Sequence, residues 1–464
     1  MPPQGLWAAF VVLALGTVAL SRRPKHSALK PKHSAKKLRL FLDSRNAGDA
    51  FKHRRAELQL LQPSRGVSDQ AVVESFVNSV TPSSEESFVL DFLEHAELAY
   101  LFEGRILFVH GAVTQQNLLK MPPSFSASPG TVAEWVDWLN KWAKAELKDY
   151  KRTPSSGGAD LRRYSSDPRG VIYATNLKQG NPVTQSEAVQ NKLSDSGVST
   201  VVCGHSPFGD CVTVIGEGSV RVVTADTSYS DNSALDKRGR AVNEVFCSHC
   251  CLSFLPLLFA ADPFVLQVVI WEDGRMEVHG TLASGELYHY KLAAPGQKST
   301  EDEDPFVGRR LDDGFWVRTP LRGGGTYLLS KGQDFKVHAR EVTKESLTKE
   351  LGYLLPKEES LAKTLGRKMV GFFTDVEGNL EYLQRYVEQS RVLQWKDKAK
   401  RDALTLQSDE AHFVFGGDSQ DKGPGDIRCA KLLTALKKEF PERVHLIMGN
   451  RDVNKLGLLF SLMY

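Results

Sequence analysis

The chain has 464 residues, 41% of them hydrophobic and 25% charged, an ordinary globular composition with room for two or three domains. Six cysteines over that length exclude a disulfide scaffold. The net charge of +3 includes seven Lys/Arg between Arg22 and Lys37 and no acid before Lys37, so the remainder carries −4; that argues against nucleic acid as partner, which calls for a basic face.

Residues 6–20 (LWAAFVVLALGTVAL) hold no charge and are shorter than a bilayer span. They suit the apolar region of a signal peptide, with small residues for cleavage at Ala19-Leu20-Ser21, although no Lys or Arg precedes them. A basic run follows, which equally suits an uncleaved anchor. Membrane association through 6–20 or entry into the secretory pathway is the expectation, with the cytoplasm as the alternative. The near-repeat PKHSALK, PKHSAKK over 24–37 reads as a basic linker.

Folded sequence begins near Leu38. Apolar spacing predicts helices over 66–82 and 84–100, a strand at 106–111, a helix over 132–151, a loop over 153–169 and a strand at 199–205. Short β-like pieces continue to about 282. The apolar stretch 246–261 has no explanation in the sequence; its Cys247, Cys250 and Cys251 read as small apolar residues rather than a zinc site. Residues 295–313 are polar and read as flexible, and 314–342 as a small β-rich appendage. After a helical linker, strands at 369–375, 412–418 and 444–450 alternate with helices at 379–390 and 426–438.

Five of these strands end in loops bearing metal-ligand types: DVEGN (Asp375, Glu377), GGDSQDKGPGD (Asp418, Asp421), GNRD (Asn450, Asp452), VHG (His110) and GHSPFGD (His205). In open α/β folds ligands gather beyond the carboxyl ends of strands. Carboxylate, amide and imidazole together suit divalent Mn, Fe or Zn.

These blocks resemble the motifs of the calcineurin-like metallophosphoesterases, a family that includes Ser/Thr phosphoprotein phosphatases. Its motifs I, II and III match at Asp375, at Asp418 with Asp421, and at Asn450 with Asp452; motifs IV and V match at His110 and His205. The resemblance implies an α/β fold of two packed β-sheets flanked by helices. It implies two divalent ions, one on Asp375, Glu377 and Asp418, the other on Asp418, Asn450, His110 and His205. It implies hydrolysis of phosphomonoesters, phosphoproteins included, by a hydroxide bridging the metals. Asp421, Arg451 and Asp452 are then expected in catalysis, with Lys422 and Arg451 on the phosphate. A non-catalytic phosphate-binding scaffold is the alternative.

The chain departs from the family pattern at four residues and in the order of its motifs; Ala112 replaces the second glycine of HGG, and Lys422 the arginine after motif II. Glu377 stands where His is usual. Arg451 replaces the histidine that protonates the leaving group, and a guanidinium supplies no proton. The motif order is IV, V, I, II, III. The end KLGLLFSLMY resembles KLRLFLDS from Lys37, so either a circular permutant or a slice across tandem copies is expected, with Leu38 to Phe41 near Leu456 to Phe460. The expected organisation is a leader and linker over 1–37, motifs IV and V over 38–236, an accessory β-rich region over 237–342, a linker over 343–365 and motifs I–III over 366–464. His279, His412 and His445 are expected outside the centre; Asp226 is a turn residue or an outer support.

Overall fold

The strands expected at 106–111, 369–375 and 412–418 carry apolar runs over 106–109, 369–373 and 413–415 rather than alternating, the pattern of strands covered on both faces. The computed structural model shows what covers them. It describes residues 34–64, 66–227, 242–243, 245–247, 268–270, 276–295, 297, 299–300, 303–333, 336–352 and 368–463. Residues 6–20, the basic repeat up to His33, and Cys250 and Cys251 lie outside the described residues, as does nearly all of 246–261. Among the described residues no helix is long and apolar enough to cross a membrane.

The protein is mixed α/β. The larger sheet has nine strands, eight of them in the order Ala96–Glu97, Val444–Ile447, Ala411–Phe415, Met369–Phe373, Val245–Cys247, Val268–Ile270, Met276–Thr281, Leu287–Leu292. The first four run parallel and the rest continue from an antiparallel pairing at Val245–Cys247. The second sheet orders Ala99–Phe102, Ile106–Val109, Thr200–Cys203, Arg221–Thr224, Thr213–Ile215. Inward side chains of the two sheets share one core: Ile106, Phe108 and Val202 with Val370, Phe372, Val414 and Ile447. The Phe108 and Phe372 rings stack across it at 5.5 Å.

Outward residues alternate with these and meet helices. Phe373 stacks on Tyr386 of the Leu380–Gln389 helix at 4.0 Å, and Phe415 meets Phe92 of the Phe88–His95 helix edge-on at 6.2 Å. The helix Val132–Arg152 buries Trp135, Leu139, Trp142 and Leu147, at three- to five-residue spacing, in the cluster that holds Leu107, Val109 and Val201. Its start is fixed twice: Thr131 accepts from the Glu134 amide, and Glu134 accepts from the Gly130 amide.

Several expectations are corrected. The helix expected over 84–100 stops at His95, because Glu103 and Gly104, both left-handed, turn Ala99–Phe102 back onto Ile106–Val109 as a hairpin. The loop expected over 153–169 contains a helix, Ala159–Tyr164. Residues 295–313 are not simply flexible, since Phe306 and Val307 are core residues. Strands of the region expected as accessory extend the larger sheet. The appendage is a three-stranded antiparallel sheet of Trp316–Pro320, Thr326–Gln333 and Lys336–Thr343. It is anchored by buried Arg318, which donates to the Cys211 carbonyl and Thr213.

The first and last described segments pack together. Leu38 and Leu42 of the helix Ala35–Asp43 share a core with Leu456, Leu458 and Leu459. The next helix, Ala50–Leu61, reaches the helix Asp426–Glu439 through two buried side chains. Glu57 accepts from the amides of Ile427 and Arg428, capping a helix whose own N-cap is Gly425. Arg54, fully buried over Phe76, donates to Asp426 at 3.1 Å. The described residues from Ser34 onward form one compact unit.

Arg54→Met is expected to cost about 3–5 kcal/mol, since it leaves the Asp426 carboxylate buried without its cation. Burial pushes the Asp426 carboxyl from 3.8 up to about 6, although Arg54 opposes the rise. A carboxyl raised on folding favours the folded state below its unfolded value and loses that advantage as pH climbs through the folded one. The variant and wild type should therefore be closest in stability near pH 4 and diverge above about pH 6. Urea denaturation across that range checks this; a pH-independent difference would contradict it.

Candidate metal centre

Three strands of the larger sheet end level with one another, because Phe373 pairs with Phe415 and Phe415 with Leu446. The loops that follow carry Asp375, Asp418 and Asn450. In the second sheet Phe108 pairs with Val202, so His110 and His205 also leave their strands together. The loops are stitched by backbone bonds: Asp375 N–H to Gly417, Glu377 N–H to Asp418, and Gly204 N–H to His110.

The loops bend sharply. Asp375, Glu377, Asp418 and His205 all have φ between 44° and 67°. A non-glycine residue there costs about 1–3 kcal/mol and persists only where its surroundings hold it. Two glycines permit the approach. A Cβ on Gly204 would sit 2.2 Å from Asp375 Oδ2, and one on Gly449 would sit 2.1 Å from Asp418 Oδ1.

His110, Asp375 and Asp418, all buried, each bring one ligand atom to within 4.8 Å of the others. His110 Nε2 lies 3.0 Å from Asn450 Oδ1 and 3.5 Å from Asp418 Oδ1, while Nδ1 lies 2.8 Å from the Gly416 carbonyl. With Nδ1–H donating to that carbonyl, Nε2 points its lone pair at two oxygen acceptors. A proton or a bound cation would resolve that arrangement. Metal-bound imidazoles are typically oriented this way, with the far nitrogen donating to a carbonyl or carboxylate. Burial would lower the His110 pKa, but Asp418 and Asp375 outweigh it and raise it well above the ordinary value.

His205 stands beside this group, its ring 5.2 Å from that of His110 and its side chain bonded to Asn450. Its backbone N–H donates to Asp375 Oδ2 at 3.1 Å. Burial and the His110 charge push its pKa down to about 4, so the imidazole is neutral and suited to ligation. Asp375 is driven up by burial and then by Asp226, a buried carboxylate at its back. Asp226 thus adds to the negative charge around the group. Buried acids, two imidazoles and an amide form a donor set that fits a divalent ion of the Mn, Fe or Zn kind.

Arg451 overlies the carboxylates. Its Nη1 donates to Asp421 Oδ2 at 2.8 Å, and its Nε lies 3.8 Å from both Glu377 Oε1 and Asp418 Oδ2. Burial would lower its pKa, but Asp421, Glu377 and Asp418 raise it, so it stays charged. Glu377 thus faces Arg451 rather than the tight group. Nη1 also donates to the Arg45 carbonyl at 3.0 Å.

One further expected role changes. Asp452 does not face the group: Oδ2 accepts from the Asp418 and Gly449 amides, and Oδ1 from the amide and hydroxyl of Ser419, all within 3.0 Å. It braces the Asp418 loop against the Asn450 loop. The Lys422 carbonyl meets the His53 ring, and the residue is half-buried. Lys455 was not singled out from the sequence. Its ammonium donates to the Gln420 and Arg451 carbonyls and lies 3.4 Å from Asp421. Its spacing of four from Arg451 in a helical segment is the signal that could have found it. His279, His412 and His445 lie in strands: His279 stacks on His289, His412 meets Phe102, and His445 stacks on Tyr100.

Asp452→Asn puts an NH₂ group against two donors and should cost about 2–4 kcal/mol of stability. Urea denaturation in excess chelator measures this free of any metal contribution; a loss under about 0.5 kcal/mol would rule out the bracing role.

No protein-family model and no solved structure matches the chain.

Proposed function

We propose that the chain is a metal-dependent phosphoesterase that hydrolyses phosphomonoesters, with phosphoserine and phosphothreonine of proteins the substrates to test first. Its core would be of the calcineurin-like kind, with the sequence blocks rotated. The observation that carries the reading is the meeting of His110, Asp375 and Asp418, each from a different block, in one buried group with Asn450 and His205 beside it.

Asp375 and Asp418 would hold one divalent ion, and Asp418, Asn450, His110 and His205 the other, while Glu377 pairs with Arg451 instead of ligating. Bound, such ions would supply Lewis acidity toward a phosphoryl oxygen and a water of lowered pKa. The Gly416 carbonyl keeps His110 in the tautomer whose Nε2 can ligate. Asp421 and the Arg45 carbonyl aim the Arg451 guanidinium over the group, where it can pair with a phosphate oxygen or a developing anion. It has no proton to give to a leaving oxygen.

A second reading, a non-catalytic phosphate-binding scaffold, also rests on Arg451: it places a fixed cation over ligand-type carboxylates where the resembled family has a proton donor. Metal retained without turnover of any phosphoester would favour that reading.

Two outcomes test the proposal. Asp418→Asn should lower both metal content and p-nitrophenyl phosphatase activity by about 100-fold or more; retention of both would refute it. Aryl phosphates, whose leaving groups need no proton, should be cleaved at least about 10-fold faster than a phosphoserine peptide. Equal kcat values for the two would contradict the role given to Arg451.

A further inference from the structure

The helix Asn450–Asn454 leads from the candidate centre to a second concavity. One turn after Arg451, Asn454 helps line a cleft of about 580 Å³, together with Arg45, Arg162, Arg163, Ser166 and Phe460. That volume lies in the range of small-ligand sites. Asn454 Oδ1 gathers the walls, accepting from Arg45 Nη1, Ser165 Oγ and Ser166 Oγ, each at 3.3 Å.

The three charged walls all carry positive charge. Arg163 has a carboxylate partner in Asp160. Among the described residues neither Arg45 nor Arg162 has one: Arg45 meets the Asn454 amide, and Arg162 sits beside the Phe460 ring, 5.9 Å from its centroid. Arg162 Nε is shielded from water and has no acceptor. Burial and the nearby Arg163 charge both disfavour the Arg162 cation where it stands. A guanidinium so placed gains most from a phosphate or carboxylate that meets it in bidentate fashion. The cleft also adjoins the centre through one residue, since the Arg45 carbonyl holds Arg451 while its guanidinium lines the cleft.

We propose that this cleft binds a second phosphate or carboxylate carried by a phosphopeptide whose phosphoester enters the candidate centre. The preferred substrates are then doubly anionic phosphopeptides. The substrate part of this statement rests on the phosphoesterase reading; anion capture by the cleft does not.

The test uses the full chain with Mn²⁺ and two peptides, identical except that one carries a second phosphoserine where the other has serine. Wild type should favour the doubly phosphorylated peptide in kcat/KM by about 10- to 100-fold, the worth of one or two charge-assisted hydrogen bonds. Arg162→Gln should bring that ratio to within about two-fold of unity, and Arg162→Lys should restore part of it, with thermal melts confirming that both variants fold. A wild-type ratio near one, or a ratio untouched by Arg162→Gln, overturns the proposal. If wild type cleaves neither peptide nor p-nitrophenyl phosphate, the phosphoesterase reading has failed on its own. Fluorescence anisotropy of the labelled peptides then decides: weakening of the doubly phosphorylated one alone by Arg162→Gln supports the cleft, and equal affinities sink it.

Discussion

Asp375, Asp418, Glu377 and Asp226 all lie almost out of water, and Asp375 and Asp418 meet in one tight group with His110. Carboxylates crowded in a poor dielectric repel, and burying each costs several kcal/mol unless cations or hydrogen bonds offset it. The rest of the arrangement answers that constraint. His110 and Arg451 bring positive charge, Thr374 and the His205 amide donate to Asp375, and the Arg451 amide donates to Asp418. The left-handed residues and close-approach glycines are what it takes to bring these groups so near.

Holding the group also demands that distant parts of the chain act as one body. Asp452 locks two ligand loops of the larger sheet, and the Gly204 amide on the His110 carbonyl locks the two of the second sheet. The helices over 35–61 reinforce this from outside, where Glu57 and Arg54 fix the start of the Asp426–Glu439 helix and Arg45 fixes Arg451. The stacked inner faces set the spacing: Phe108 against Phe372 keeps the ends of both sheets facing one another.

Much of this was legible in the sequence, for identifiable reasons. Apolar runs ending in Thr-Asp, Gly-Asp, Gly-Asn, His-Gly or Gly-His mark strands covered on both faces with a loop beyond, so the strands that carry His110, His205, Asp375, Asp418 and Asn450 were found. The hairpin at Glu103-Gly104 was missed because LEHAELAYLF has helix-forming residues, and the left-handed pair decides against them. Asp452 looked like a reactive acid because composition does not show that its lone pairs are already used by four donors. Glu57, Arg54 and Arg45 were illegible for a different reason: each acts on residues 370 or more positions away, and nothing local marks that.

Those separations govern when the protein can mature. His110 leaves the ribosome 340 residues before Asn450, and Glu57 leaves 370 residues before the helix it caps. Closing such loops is entropically slow, and chains dominated by distant pairings fold late. The early helices must wait, with Arg54 and Glu57 lacking their partners, until the helix Asp426–Glu439 has emerged. The centre therefore cannot assemble before Asn450 has followed, and a polypeptide stalled before Val444 has the two histidines but not the amide that joins them.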